Sequence, residues 1–218
     1  GHVWYLPDYG QIEVWVFAYM AKEKAMMKPL TEGFDFHGAI AKIVWGKESD
    51  FKDHYDSYRK RAKLILFCKL YGGGVKKIAS LLEIYKDDKG ELDIPKAQKF
   101  LDDYNTQFPG VAAFQKRMMN RVEREGRIYN PFGRMYRIDP EFSYRGVNYM
   151  IQGTCADIMK GAMLNVHNLF QTKWKGCYIL ITLHDELILE IPLKYHSKRL
   201  MHDIIKAMQG NFHKIVGI

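Results

Sequence analysis

Residues Cys177–Pro192 read CYILITLHDELILEIP and predict a β-hairpin. Two apolar, β-branched runs, Tyr178–Leu183 and Leu187–Ile191, flank the polar tripeptide HDE at 184–186, which is the pattern of two strands joined at a polar tip. A tight turn favours polar residues by itself, although hairpins prefer Asn-Gly or glycine-containing turns to Asp-Glu. The tripeptide therefore indicates either a simple turn or carboxylates held at a sheet edge, where they can bind a metal ion.

The composition is that of an ordinary folded protein with an excess of positive charge. The 218 residues are 47% hydrophobic and 27% charged, enough to bury the core of one large or two small domains. A net charge of +8 favours a polyanionic partner. We see no repeat or flexible linker, so a second domain is expected as an insertion, with connections near residues 25–35 and 138–145.

Cysteine spacing and hydropathy argue against some classes of protein. The three cysteines, at positions 68, 155 and 177, are widely separated and show no zinc-site spacing, which favours a reducing compartment. No apolar run approaches the ~20 residues of a membrane span, and no signal sequence opens the chain. We expect a cytoplasmic protein without a membrane partner, and interpret the start at Gly1-His2 as a tag scar or an excised fragment.

The amino-terminal segment predicts a strand, a turn and a helix. Val3–Leu6 is a short apolar run, and a helical pattern extends from Gln11 to Ala21. Asp8 lies at the strand end, where sheet-based sites keep metal ligands, but a helix N-cap looks the same and is favoured for Asp8 taken alone. A short helix is predicted at 34–46, with His37 near its start; a lone histidine there is more often structural.

The segment 59–77 contains seven basic residues and no acidic one. In the helix predicted to end at Gly72, a spacing of four residues places two cations and two aromatic rings on one stripe: Arg59, Lys63, Phe67 and Tyr71. Charge runs usually lie on a solvated face and aromatic rings in a core, but here both share one ridge. That combination suits a nucleoside triphosphate, with cations on the phosphates and rings near sugar and base.

The remaining segments predict a mostly helical frame. Amphipathic patterns predict helices at 94–104, 111–124, 144–170 and 194–210. The turn residues at 130–133 predict a hairpin at 127–138. Asn148 and Gln152 fall four residues apart on one helix face, where amides can read base edges or simply solvate the helix. Two strand-end carboxylates, a basic helix and net positive charge together indicate two-metal nucleotidyl transfer.

Three motifs then resemble those of the family A DNA polymerases. The sequence DYGQIE at 8–13 resembles motif A, the stripe from Arg59 to Tyr71 followed by Gly72 resembles motif B, and HDE at 184–186 resembles motif C. A weaker match, Asn148-x-x-x-Gln152-Gly-Thr, lies in the right order between B and C.

The resemblance implies a role for each matching residue. Asp8 and Asp185 would bind two Mg²⁺ ions, which Mn²⁺ can replace, with the Tyr9 carbonyl as a further ligand and Glu186 as an accessory carboxylate. Arg59, Lys63 and His37 would hold the incoming deoxynucleoside triphosphate, and Lys63 would protonate the leaving pyrophosphate. The remaining matches would act on sugar, substrate and primer-template DNA: Glu13 as the steric gate, Phe67 beside the sugar, Gln11 at the substrate, Tyr71 at the templating position, and Asn148, Gln152 and His184 on DNA.

The resemblance also implies the fold. We expect an α+β protein: a polymerase palm, with an antiparallel sheet and packed helices, and a mainly helical fingers insertion. The expected segments are palm at 1–28, fingers at 29–139 with the motif B helix at about 56–72, and palm again at 140–218 with the motif C hairpin at 177–192. Relatives carry a thumb, and usually an exonuclease domain, before motif A, so we expect those parts in a longer polypeptide and weak activity here.

Other readings remain open at this point. A single-subunit RNA polymerase shares the two-aspartate palm, although Glu13 and Glu186 argue against it. A metal-dependent phosphohydrolase would need further ligand histidines. A non-catalytic, nucleic-acid-binding polymerase remnant would keep the same motifs. Position 10 is Gly where many family members carry Ser, which leaves the metal site credible.

Overall fold

The computed structural model describes residues 1–87 and 90–216, so the predicted segments 29–139 and 140–218 each include two residues outside it. The protein has an α+β fold. In chain order the elements are β1 (His2–Tyr5), α1 (Ile12–Ala21), α2 (Lys24–Thr31), α3 (Phe36–Trp45), α4 (Tyr55–Leu70), α5 (Val75–Leu81), α6 (Ile94–Gln107), α7 (Pro109–Glu125), β2 (Arg127–Tyr129), β3 (Met135–Arg137), α8 (Arg145–Thr172), β4 (Tyr178–Leu183), β5 (Glu186–Pro192) and α9 (Lys198–Val216).

The chain divides into two compact units. The first unit comprises Gly1–Val16, Asn130–Arg134 and the chain from Gln152 onward; the second comprises Phe17–Tyr129 and Met135–Ile151. Helices α1 and α8 each run from one unit into the other. No helix in the described part of the chain is long and apolar enough to cross a membrane.

The first unit is built on a three-stranded antiparallel sheet in the order β1-β5-β4. Its central strand, β5, buries alternate side chains completely: Leu187, Leu189 and Ile191 are each 0% exposed. Each buried side chain of this size contributes about 1.5–3 kcal/mol, so β5 anchors the sheet. The predicted hairpin is therefore confirmed, with β4 matching its predicted bounds and β5 beginning one residue earlier, at Glu186.

Helix α9 covers this unit with the apolar side predicted from sequence. Its side chains Leu200, Ile204 and Met208 recur every four residues and are at most 4% exposed. The helix begins at Lys198 instead of the predicted Lys194, because Leu193–Tyr195 form a separate 3₁₀ turn and the Ser197 hydroxyl accepts the Leu200 N–H.

A polar clamp ties the tip of the 127–138 hairpin to α8 within the first unit. Asp157 accepts hydrogen bonds from Arg134 Nη2 at 2.6 Å and from Asn130 Nδ2 at 2.7 Å. The Asn130 side-chain oxygen accepts the backbone N–H groups of Phe132 and Arg134, which closes the turn. The predicted turn at 130–133 is confirmed, and its polar residues have structural partners.

The second unit is mainly helical. Helices α3 and α4 pack through fully buried side chains that include Phe36, Ile40, Ala62 and Leu66. Helix α7 runs slightly beyond the predicted bounds of 111–124 and is followed by Gly126, whose φ of 63° is the left-handed conformation typical of a helix end. The predicted helix at 94–104 is confirmed as the longer α6, and the short helices α2 and α5 were not predicted.

The end of α4 depends on two glycines. The helix stops at Leu70, and Gly72 follows with a φ of 71°. A side chain at Gly72 would collide with the Tyr144 carbonyl, and one at Gly73 would collide with the Cys68 sulfur. Close approach of neighbouring atoms therefore explains these two glycines.

Candidate active site

The carboxylates of motifs A and C meet at one end of the sheet in the first unit. Asp8 continues β1 and forms an isolated antiparallel bridge with Glu186, the first residue of β5. The Tyr9 N–H donates to the Asp185 carbonyl at 3.2 Å, and the Leu187 N–H donates to the Pro7 carbonyl at 3.0 Å. The backbone ladder thus holds residues far apart in sequence in one fixed register.

This geometry corrects the interpretation of Asp8 as a helix cap. Helix α1 begins only at Ile12, and the residue before it, Gln11, has a φ of 59°. Asp8 lies four positions before the helix and pairs with a strand instead. The cap looked equally good from sequence because the partner strand lies about 180 residues away in the chain.

The electrostatics of Asp8 show that its carboxylate lies near another. Partial burial and the negative charge of Asp185 raise the pKa of Asp8, while the Tyr9 backbone N–H opposes the shift. Like charges raise a carboxyl pKa when they share a small site, so this site gains from a bound cation. Among the described residues, no group of three or more His, Cys, Asp or Glu side chains is arranged to hold a metal ion.

Tyr9 fixes the backbone between the two motifs. Its hydroxyl donates to the Met208 carbonyl, and its ring lies 5.8 Å from that of Phe212. Burial raises the pKa of Tyr9, which remains neutral. Because its side chain is anchored in this way, its backbone carbonyl is held next to Asp8.

The hairpin tip is tighter than the sequence indicated. Only His184 and Asp185 form the loop, since Leu183 already pairs with Glu186. His184 has a φ of 54°, a left-handed conformation that is uncommon for residues other than glycine. A positive φ at the first of the two loop positions is what a two-residue hairpin turn requires, so the turn geometry accounts for this conformation.

Glu13 and Gln152 also meet in the first unit. Gln152 Nε2 donates to Glu13 Oε1 at 3.4 Å, which joins motif A to α8. The neighbouring Cys155 is buried; burial first, then the charges of Glu13 and Asp185, raise the pKa of its thiol. The sequence did not predict that Cys155 lies beside these carboxylates, because no spacing pattern relates it to them.

The basic and aromatic stripe lies on α4, in the second unit. Ala62, Leu66 and Leu70 are buried, whereas Lys63 and Tyr71 are exposed and Arg59 and Phe67 half-buried. The Phe67 and Tyr71 rings stack at 6.3 Å with an interplanar angle of 19°. The stripe therefore lies outside the buried face of α4, where a ridge that mixes basic and aromatic residues is expected.

His37 on α3 lies against this stripe. Its ring is 8% exposed and 6.3 Å from the Phe67 ring. Burial, and then the positive charges of Lys63 and Arg59, lower the pKa of His37, so the ring is neutral at pH 7. Its buried Nδ1 has no hydrogen-bond partner within the described residues, which is unusual for a group kept for structure alone.

One contact of the stripe was not predicted. Arg59 donates two hydrogen bonds to Asp35, the residue before α3, from Nε at 2.7 Å and from Nη2 at 3.0 Å. The hydrogen bond from Arg59 holds the pKa of the Asp35 carboxyl below its usual range. The partners are 24 positions apart in the chain, so there was no local sequence signal for their contact.

Asn148 and Gln152 share one face of α8, as predicted. Asn148 is half-buried and belongs to the second unit, whereas Gln152 is exposed and belongs to the first. Each predicted site residue can therefore be placed within its own unit: the carboxylates, Gln11, Glu13, Gln152 and His184 in the first, and His37, Asn148 and the α4 stripe in the second.

Comparison with known proteins shows which family the chain resembles. Residues 1–216 match the sequence profile of DNA polymerase family A. The chain is 29% identical over 192 residues to the DNA polymerase of Mycobacterium phage D29, covering 88% of this chain and 29% of that protein. It is 30% identical to DNA polymerase I of Chloroflexus aurantiacus, covering 92% of this chain and 21% of that protein.

A relative from Thermus aquaticus, a thermostable DNA polymerase I, is 32% identical, covering 93% of this chain and 24% of that protein. The chain thus spans roughly a fifth to a third of the length of these relatives. Among solved structures, it is similar to the POL domain of Pol1 from M. smegmatis in complex with DNA primer-template and dNTP. The TM-score is 0.83 at 22% identity, covering 97% of this chain and 37% of that one. That similarity establishes a shared fold.

Proposed function

The chain belongs to DNA polymerase family A, and we propose that it carries out template-directed DNA synthesis, adding deoxynucleotides to a primer 3′ end. The observation that carries this proposal is the bridge between Asp8 and Glu186, which brings the carboxylates of motifs A and C to one point of the sheet. The partners would be primer-template DNA and deoxynucleoside triphosphates. We assign the first unit to the palm and the second mainly to the fingers.

The donor set of the palm fits magnesium. Mg²⁺ prefers oxygen ligands and is usually bound through one or two carboxylates, with phosphate and water in the other positions. Asp8, Asp185 and the Tyr9 carbonyl would supply the protein oxygens, with Glu186 as an accessory carboxylate. Two Mg²⁺ ions bound there, or Mn²⁺ in their place, would activate the attacking hydroxyl and neutralise charge on the phosphoryl oxygens.

The proposed reaction balances without a further reactant. The primer 3′-hydroxyl gives its proton to solvent as its oxygen attacks the α-phosphorus of the nucleotide, the bond from the α-phosphorus to the bridging oxygen breaks, and pyrophosphate leaves. A lysine that protonates the pyrophosphate regains its proton from solvent. Lys63, exposed on α4, would give a proton to the pyrophosphate, while Arg59 and the neutral His37 would donate hydrogen bonds to the triphosphate. A neutral imidazole can donate one N–H without needing a full positive charge.

Several residues would select the sugar and the base. Glu13, held by Gln152, would crowd a 2′-hydroxyl, and Gln11 beside it would contact the substrate. The stacked pair Phe67 and Tyr71 would lie near the sugar and the templating base. Asn148, Gln152 and His184 would contact the primer-template.

Single-nucleotide primer extension tests this proposal. Four templates that differ in the templating base, each offered the four deoxynucleotides in turn with Mg²⁺ or Mn²⁺, should show extension by the complementary nucleotide only. Ribonucleotides should be incorporated much more slowly. Efficient ribonucleotide incorporation would favour the RNA polymerase reading, and DNA binding without extension would favour the non-catalytic remnant.

A further inference from the structure

Asp35 binds one edge of the Arg59 guanidinium through two hydrogen bonds. Nε bonds Oδ2 and Nη2 bonds Oδ1, which is a bidentate pair between a planar fork and a carboxylate. Arginine has five N–H donors, of which this pair uses two. The other edge of the fork, formed by Nη1 and the second Nη2 hydrogen, is directed away from the carboxylate. A second bidentate partner can therefore bind there.

Asp35 is itself fixed by its surroundings. The Tyr55 hydroxyl, one turn before Arg59 on α4, donates to Asp35 Oδ2 at 3.2 Å. Gly38 in the first turn of α3 makes room for this group: a side-chain carbon there would collide with the Tyr55 hydroxyl and lie 2.5 Å from Asp35 Oδ2. A glycine inside a helix is unfavourable, so the close approach accounts for it.

We propose that Asp35 is a positioning residue, which holds Arg59 by its Nε–Nη2 edge and so presents the Nη1–Nη2 edge to the phosphates of an incoming nucleoside triphosphate. This inference rests on the proposed function, which assigns Arg59 to the triphosphate. A free arginine loses side-chain freedom when it binds phosphate, whereas one that is already oriented loses less. The gain is in orientation, because the charge of Asp35 alone repels phosphate.

A purely structural role makes a different prediction. Both side chains of the pair are 43% exposed, and ion pairs of that kind contribute little to stability. Removing the Asp35 charge would also strengthen phosphate binding if electrostatics alone operated. A loss of nucleotide affinity without a loss of stability is therefore the signature of positioning.

Binding of a labelled deoxynucleoside triphosphate to the whole chain, by equilibrium dialysis with Mg²⁺, provides the test. Asp35→Ala should weaken binding about tenfold and Asp35→Asn, which keeps one acceptor for the guanidinium, about threefold. Gly38→Ala should weaken binding by displacing Asp35 and Tyr55, although it changes no charge. Alanine favours the helix, and the Tyr55 ring that it displaces lies at the surface, so this variant should melt close to the wild-type temperature.

Two further variants separate the outcomes. Adding Asp35→Ala to an Arg59→Ala protein should have no further effect, because the carboxylate then has nothing to orient. Asp50→Ala is the matched control. Asp50 accepts a hydrogen bond at 2.7 Å from the hydroxyl of Tyr58, which lies on α4 beside Arg59, but it pairs with no arginine in the described structure. The affinity for the nucleotide should therefore not change.

The role of Arg59 and the positioning role of Asp35 predict different results. If Arg59→Ala weakens binding while Asp35→Ala leaves it unchanged or tightens it, the positioning role is overturned and the proposed function stands. If Arg59→Ala binds the nucleotide as well as wild type, Arg59 does not hold the triphosphate, and its assigned role and the positioning role of Asp35 are both overturned.

Discussion

Replacing Lys69 with methionine should stabilise the protein at neutral pH and remove part of its pH dependence. Lys69 lies on the buried side of α4 and is only 7% exposed, and burial lowers its pKa from 10.5 to about 8. In the unfolded chain the Lys69 ammonium keeps its proton up to about pH 10.5. Folding therefore loses free energy at every pH at which this ammonium is still charged inside the protein. A shift of this size corresponds to about 3 kcal/mol.

The sign follows from proton binding in the two states. Below pH 8 both states are protonated and the full penalty applies. Between pH 8 and pH 10.5 the unfolded state binds more protons than the folded one, so stability rises with pH through this window. Lys69→Met should therefore stabilise by up to about 3 kcal/mol at pH 7, and the gain should shrink towards pH 10.5.

Urea denaturation at pH 7, 8, 9 and 10 measures this directly. Lys60→Met, an exposed position on the same helix, is the control and should change stability little at every pH. The reasoning is refuted if Lys69→Met destabilises the protein, or if its gain is the same at pH 7 and pH 10.

Three further outcomes are expected. Asp157→Ala, which leaves Arg134 without its carboxylate and opens the hairpin clamp, should lower the unfolding free energy by about 1–3 kcal/mol in urea titrations; an unchanged midpoint would show the clamp to be unimportant. Glu13→Ala should raise ribonucleotide incorporation relative to deoxynucleotide incorporation, and an unchanged ratio would count against the steric gate. In the family that motif B resembles, phenylalanine at this position goes with rejection of dideoxynucleotides, so Phe67→Tyr should increase dideoxynucleotide incorporation in terminator assays; incorporation no higher than that of the wild type would remove Phe67 from the sugar site.

The sequence predicted those parts of the fold that depend on local periodicity. The hairpin of β4 and β5, the helix carrying the stripe and the left-handed end of α7 at Gly126 all have signals within a few residues. Helix α5, with seven residues, is too short for such a signal. Element ends shifted where a 3₁₀ turn intervened, as before α9.

The site was predicted in its residue types but not in its contacts. The bridge from Asp8 to Glu186 and the fork of Arg59 on Asp35 join residues that are distant in the chain. Lys69 was also misjudged from the sequence. Its position in a basic run indicated a solvated side chain, whereas packing buries it. Such contacts depend on tertiary structure, which a single sequence does not encode locally.

The most direct test of the central claim is a comparison of primer-extension rates for carboxylate variants at the end of the sheet. Asp8→Asn and Asp185→Asn should each reduce extension about 10²–10³-fold or more, and the double variant should be little worse than either, because the two act as one unit. Glu190→Gln, farther along β5, should keep nearly wild-type activity. Extension by Asp8→Asn or Asp185→Asn at the rate of the Glu190→Gln control, with the fold intact, would contradict the claim that these aspartates form the catalytic centre.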